Sequence, residues 1–307
     1  MDTHPAVVLH APSTLVPRQP SQPLVSVIIP TYNRAGFVHE AIVSVLAQDY
    51  PQQEVIVVDD GSTDHTCEVV QSFGTAVQYI AQAHAGVSAA RNHGVAVSHG
   101  ELLAFLDSDD LWQAGKVTAQ VALFQQQPQV QACYTDEIWI RHGVRVNPRL
   151  IHRKHAGWIF LQSLPRCIIS PSSIMLRRAL WECLGGFDES LPACEDYDLW
   201  LRLTAREPVS LIPKPLIVKR GGHADQLSRS VPVLDQYRIM ALEKIRQAAL
   251  PLAQRQAVLE HLVEKCRVVA HGARKRQLER RWETYQAKAE LYCQELAGLQ
   301  QLPVDVV

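Results

Sequence analysis

Among the seven cysteines no two are spaced as CxxC, and their number is odd, so neither a disulfide framework nor a cysteine zinc site is predicted. A reducing compartment fits this usage. Long apolar runs are missing as well: no segment approaches the roughly 18 residues of a membrane span. The N-terminus has no basic region followed by an apolar stretch of signal-peptide length. These absences predict a soluble, cytoplasmic protein. Nor does one sign of charge dominate, since 30 Lys and Arg face 31 Asp and Glu. That balance excludes the global basic field of a nucleic-acid binder. Three phosphate or acyl loops are also lacking: no GxGxxG follows a strand, no GxxxxGK[ST] cradles a triphosphate, and no GxSxG elbow is present.

What is present is enough apolar sequence, 47% of 307 residues, to bury a sizeable core. Residues 1–24 carry Pro5, Pro12, Pro17, Pro20 and Pro23 without periodicity and predict a loosely ordered tail. From Val25 onward, β-branched runs ending in turn residues ("LVSVIIP", "EVIVVDDGS", "VQYIAQ", "ELLAFLD") alternate with helix-period segments. One of those helices is predicted to open near Thr63. Strands buried on both faces and separated by helices predict an α/β fold with a mostly parallel, Rossmann-like sheet. Further on, "ACYTDEIWI" reads as a strand, and "SSIMLRRALWECLGGF" as a strand entering a helix that stops at Gly185 and Gly186. "EDYDLWLRLTA" reads as an amphipathic helix with an acidic first turn. After Leu234 the helical period dominates, with Pro251 and Gly272 as expected interruptions. The predicted organisation is a tail (1–24), an α/β domain (25–232) and a C-terminal helical region (233–307).

The polar residues cluster at the carboxyl ends of the strands, where open parallel sheets bind ligands. Pro30 to Asn33, Asp59 to Ser62 and Asp107 to Asp110 are predicted to share one site. Three carboxylates crowd "DSDD", with no nearby cysteine or histidine pair, and hard oxygen donors of this kind favour Mg²⁺ or Mn²⁺. If that segment is extended, Asp107 and Asp109 lie on one face and can reach one cation. Helix capping and turn formation are the plainer roles for such residues.

Taken together, "VSVIIPTYNR", "EVIVVDDGSTD", "GVSAARNHG", "GELLAFLDSDDLW", "GGFDESL" and "CEDYDLWLRL" resemble, in order and spacing, the family 2 glycosyltransferases. These are inverting enzymes of GT-A fold that use nucleotide-diphosphate sugars, and the resemblance covers roughly residues 25–225. It implies a donor site containing Pro30, Tyr32, Asn33, Asp59, Arg91, Asp107 and Ser108, with Tyr32 near the base and Arg91 near the diphosphate. It further implies that Asp59 accepts the imide N–H of a uracil or thymine, which favours a UDP-sugar. Asp107 and Asp109 match a metal-binding DxD pair, His223 in "RGGHADQLS" matches a further metal ligand, and the ion would be Mn²⁺ or Mg²⁺. Asp196 of the ED pair matches the general base, with Glu195, Asp60 and Asp110 supporting. The sequence departs from the family after "DSDDLW", where Gln113 to Val117 stand in place of a proline, lysine and leucine.

The expected acceptor is a carbohydrate, a lipid-linked molecule or a protein, as in surface polysaccharide or glycoconjugate synthesis. The alternative is a nucleotide-sugar binding subunit without turnover. Basic residues and Trp158 within "RHGVRVNPRLIHRKHAGWIF" are open to an anionic or carbohydrate acceptor, or are ordinary surface. The C-terminal helices are expected to pack on the α/β domain or on a twin subunit in a homodimer. "GARKRQLERR" (272–281) is basic enough for peripheral contact with anionic lipid at the inner face of the membrane, or is a solvated face.

Overall fold

The computed structural model describes residues 22–223 and 233–300. The predicted tail lies almost wholly outside them, as does the end of "RGGHADQLS" from residue 224. Among the described residues nine strands form one sheet: β1 (Val25–Thr31), β2 (Gln53–Asp59), β3 (Gln78–Ala81), β4 (Leu102–Phe105), β5 (Leu111–Trp112), β6 (Ala132–Arg141), β7 (Val144–Val146), β8 (Ile174–Arg177) and β9 (Ser210–Gly221). Their order is β3-β2-β1-β4-β8-β6-β9-β5, with β7 paired to β6. The first four strands are mutually parallel, whereas β8 runs antiparallel between β4 and β6.

Helices α1 (Ala35–Leu46), α2 (Thr66–Gln71), α3 (Val87–Val97), α4 (Lys116–Gln126), α5 (Phe160–Ser163), α6 (Arg178–Leu184) and α7 (Glu195–Thr204) accompany the sheet. Two apolar clusters flank it. One joins Val27, Ile29 and Val57 to Val38, Ile42 and Val45 of α1. The other joins Ile28, Ile56 and Phe105 to Ala90 and Val95 of α3 and to Leu199 and Trp200 of α7. The alternation of Val27 and Ile29 with Ile28 is the period of two that sends successive strand residues to opposite faces. Gly94 is what lets α3 lie close, because a Cβ there would stand 2.5 Å from Ile28 Cγ2.

Pro30 sits within a central strand, a position normally barred by its missing N–H. The pairing of β1 with β4 ends at Ile28–Phe105, and Leu106 N–H donates to the Ile28 carbonyl at 3.0 Å. Pro30 shares the side of Ile28, so its absent donor falls where β1 and β4 have already parted. That divergence opens the crevice at the strand ends.

Two boundaries differ from the sequence reading. Helix α2 begins at Thr66 and not at Thr63, because Thr63 N–H is committed to Asn33 Oδ1 (2.7 Å) while Asp64 Oδ1 takes the Thr66 N–H at 3.0 Å. Gly272 interrupts nothing. Beyond α8 (Leu234–Arg246), helix α9 (Leu252–Lys275) runs through it, and α10 (Glu279–Gln300) follows a turn with Gln277 at φ 56°. Burial of Val269, Ala270 and Ala273 around Gly272 outweighs the helix penalty of about 1 kcal/mol for glycine.

The C-terminal helices are joined to the α/β domain through a third cluster, in which Phe160, Leu164, Tyr197 and Leu201 pack with Leu242, Leu259 and Leu262. Buried Asp198 reinforces the junction, held by Arg202 and by Lys244 of α8, each at 2.8 Å. No helix among the described residues is long and apolar enough to cross a membrane.

Candidate active site

The ends of β1, β2 and β4 are tied together by side chains. Asn33, in the left-handed region at φ 51°, accepts the Thr63 N–H, and its own N–H donates to Ser62 Oγ at 2.8 Å. It is thus a joint between two strand ends. Pro30 is buried, while Tyr32 stands 42% exposed. Tyr32 stacks on His84 with ring centroids 4.3 Å apart and planes at 27°, a flat aromatic surface at the crevice rim. His84 was not predicted by the sequence reading.

Asp59 and Asp60 divide their work. Asp59 is buried, accepting the Ser62 N–H at 2.9 Å on one oxygen and the Tyr79 hydroxyl at 2.8 Å on the other. Burial first, then its contacts with Cys67 and Asp59, raise the Tyr79 phenol above its ordinary range, so it remains a donor. Asp60 accepts from Gln82 Nε2 (2.7 Å) and from the N–H groups of Ala85 (2.9 Å) and Gly86 (2.8 Å), and lies 2.9 Å from His84 Nδ1. A single carboxylate therefore shapes the 82–86 loop that presents His84 and opens α3.

The "DSDD" segment is a turn, not an extension of β4: Asp110 N–H donates to the Asp107 carbonyl at 2.9 Å. Strand alternation therefore does not bring Asp107 and Asp109 together, and the two carboxylates have different partners. Asp107 Oδ1 receives Arg91 Nη2 at 2.6 Å. Asp109 Oδ2 lies 2.5 Å from Arg34 Nη1 and 2.8 Å from His223 Nε2. Ser108 is buried in the turn. Asp110 is buried behind it, accepting from Ser172 Oγ at 2.6 Å and Arg220 N–H at 2.9 Å. Burial, followed by the charges of Asp109 and Asp107, pushes the Asp110 carboxyl well above the usual range.

Among the described residues no group of three His, Cys, Asp or Glu is poised to hold a metal. The expected triad is divided, with Asp107 engaged by Arg91 and only Asp109 and His223 in contact. That carboxylate and imidazole, 2.8 Å apart, are of the donor type that would hold a divalent ion such as Mn²⁺.

Arg91 is not an open phosphate binder. It is 3% exposed, with Nη2 on Asp107 and Nη1 on Glu195 Oε1 at 2.7 Å, and its guanidinium lies 4.8 Å from the Phe187 ring centre. It links the β4 turn to the first turn of α7. Burial and then the neighbouring Asp196 raise the Glu195 carboxyl, against the opposing pull of Arg91.

The next residue, Asp196, faces a different space. It lines a pocket of about 330 Å³ with Glu137, Trp139, Arg141, Lys219 and Arg220 of β6 and β9. Its Oδ1 takes the Tyr197 N–H at 2.6 Å, and its Oδ2 lies 3.2 Å from Cys167 Sγ. The other carboxylate there, Glu137, is fully engaged by Lys154 (3.0 Å), Ser170 Oγ (2.7 Å) and Trp139 Nε1 (2.8 Å). Burial alone would raise Glu137, but Lys154 and Lys219 outweigh it and bring the carboxyl down to about 2. Trp158, suggested by sequence as an acceptor contact, is 64% exposed and lies outside this lining, whereas Trp139 is part of it.

Residues 26–184 match the family model described as Glycosyl transferase family 2, and the chain belongs to that family. An uncharacterized glycosyltransferase of Rickettsia typhi is 32% identical over 70% of this chain and 69% of its own length. A Rickettsia felis counterpart is 31% identical, but the chain spans only 36% of it. Chondroitin synthase of Escherichia coli is 29% identical over 67% of this chain and 30% of its own length. Among solved structures, S. aureus TarS 1-349 in complex with UDP-GlcNAc superposes with a TM-score of 0.71 at 21% identity, covering 85% of this chain and 79% of that one. The mannosyltransferase PcManGT from Pyrobaculum calidifontis, in complex with GDP-Man and Mn²⁺, gives 0.58 at 20% identity, covering 90% and 87%. The architecture is the GT-A fold, a mixed, mostly parallel sheet flanked by helices and followed by C-terminal helices.

Proposed function

We propose that this glycosyltransferase moves a sugar from a nucleotide-diphosphate donor to an acceptor hydroxyl by a single inverting displacement, with Asp196 as general base. The observation that carries this reading is the difference between the two carboxylates of the 330 Å³ pocket. Glu137 is saturated by three donors, whereas Asp196 meets only its own helix N–H and one thiol. One open carboxylate suffices to take the hydroxyl proton as oxygen attacks, and none is left as a covalent nucleophile. The same contrast favours turnover over a purely binding subunit.

The donor belongs at the opposite rim. Tyr32 and His84 supply a face for the base. Each oxygen of Asp59 has one protein donor and one lone pair left, so this acceptor-only group favours uracil over cytosine. A UDP-sugar is the proposed donor, in line with the UDP-GlcNAc seen in TarS. Asp109 and His223 would hold Mn²⁺ or Mg²⁺, which supplies positive charge to the departing diphosphate. Arg91 acts from behind, fixing Asp107 and Glu195 so that the donor turn and the base helix keep their spacing. The proposed acceptor is part of a surface polysaccharide or glycoconjugate, a reading supported by the likeness to chondroitin synthase.

The test is the melting temperature of the whole chain with UDP, dTDP, GDP or CDP, each with and without Mn²⁺, in wild type, Asp109→Ala and Asp196→Asn. A ligand at a hundred times its Kd stabilises by about 2.7 kcal/mol, a rise of roughly 4 °C at this size. The expected result is a Mn²⁺-dependent rise with UDP that is lost in Asp109→Ala and kept in Asp196→Asn. Absence of a rise with every nucleotide would overturn the donor assignment.

A further inference from the structure

Five cationic side chains line the 330 Å³ pocket beside Asp196. Its lining includes Arg141, Lys154, Lys219, Arg220 and Arg238, against Glu137 and Asp196. Three of these cations have carboxylate partners: Lys154 is on Glu137 (3.0 Å), Arg238 on Asp235 (2.9 Å) and Arg220 on Glu40. Lys219 and Arg141 have no ion pair among the described residues. Both instead lie over the Trp139 ring, with the Lys219 ammonium 6.0 Å and the Arg141 guanidinium 5.7 Å from its centre.

Two of the paired cations are also incompletely satisfied. Arg220 Nη2 and Arg238 Nε are buried without a hydrogen-bond acceptor among the described residues. Burial by itself would favour the neutral form of Lys219, but Glu137 and Asp110 outweigh it and hold the ammonium protonated. The positive charge is therefore a standing feature of the wall.

The pocket is separate from the residues assigned above to the donor. None of Tyr32, Asp59, His84, Asp107, Asp109 and His223 lines the pocket, while Asp196 does. Its volume falls at the lower end of the roughly 300–1,000 Å³ usual for small-molecule sites. An indole beside it offers a sugar an apolar surface, and the cations offer an anion its counter-charge.

We propose that this pocket is the acceptor subsite and that the acceptor is an anionic saccharide, its ring packed on Trp139 and its phosphate or carboxylate held by Lys219 and Arg141. The proposal rests on the assignment of Asp196 as the base that meets the acceptor hydroxyl. It adds the chemical class of acceptor: a glycan bearing phosphate or uronate groups is selected over a neutral one.

The experiment is saturation-transfer NMR on the full chain with UDP and Mn²⁺ at saturation, so that anions cannot report from the donor site. The probes are glucose 6-phosphate, glucuronate and glucose. Glucose is expected to bind about tenfold or more weakly than at least one anionic probe, and preference between the two anions tells phosphate from carboxylate. Lys219→Gln should weaken the anionic probes about tenfold and Lys219→Arg should restore them, with UDP affinity unchanged in both. Equal binding of glucose and both anions, or anion binding that survives Lys219→Gln, would overturn the proposal. Loss of UDP binding in the wild type would instead overturn the donor assignment, and the same titrations without nucleotide would then judge the pocket alone.

Discussion

Arg91 and Glu195 are 104 residues apart in sequence and meet at 2.7 Å inside the protein. Because the other arm of Arg91 holds Asp107 at 2.6 Å, this ion pair fixes the acidic turn after β4 relative to the helix that carries Asp196. Turn and helix are thereby held in register by one buried guanidinium.

Arg91→Met is expected to destabilise the protein by about 3–5 kcal/mol, since it leaves Glu195 buried without its counter-charge. Urea unfolding of Arg91→Met, Glu195→Gln and the double variant checks this. The double variant should be more stable than the two single losses added together. Simple additivity would mean that the pair is not coupled.

The Tyr32–His84 stack and its support by Asp60 make separate predictions. His84→Ala should weaken UDP by about 1–3 kcal/mol, the usual worth of a base on an aromatic surface, with little change in melting temperature. Asp60→Asn should weaken UDP and also cost about 1–3 kcal/mol of stability, because an amide NH₂ would face the N–H donors of the 82–86 loop. Calorimetric titration and melting curves separate the two outcomes.

Lys116 supplies a pH dependence unrelated to the site. It is fully buried, 2.7 Å from Gln120 Oε1 and 3.9 Å from the Trp112 ring centre, and burial lowers its pKa from 10.5 to about 7. Between those values the unfolded chain binds a proton that the folded one does not, so stability falls as pH drops towards 7. Relative to Lys116→Met, the wild type should lose up to about 1.4 kcal/mol per pH unit on going from pH 9 to 7.5, measured as unfolding free energy in urea. Parallel curves for the two proteins would show that the lysine does not change charge in that range.

The parts of the fold written in local pattern were legible in the chain. Runs such as "VSVIIP" and "EVIVVDD" predict buried strands with polar ends, and "EDYDLWLRLT" predicts a helix with an acidic first turn, because side-chain period and turn chemistry are properties of neighbouring residues. The set of motifs likewise points to one family, whose model matches residues 26–184. Tertiary structure alone decided how the charges are shared. Asp107 turns to Arg91, Asp109 to Arg34 and His223, and Asp60 to the loop that presents His84. Trp139, Lys219 and Arg238 meet only because β9 lies parallel beside β6 and the C-terminal helices fold back on α7. Whether a charged group becomes a ligand, a strut or the wall of a pocket depends on its burial and on partners scores of residues away, and no local pattern in the chain encodes that distance.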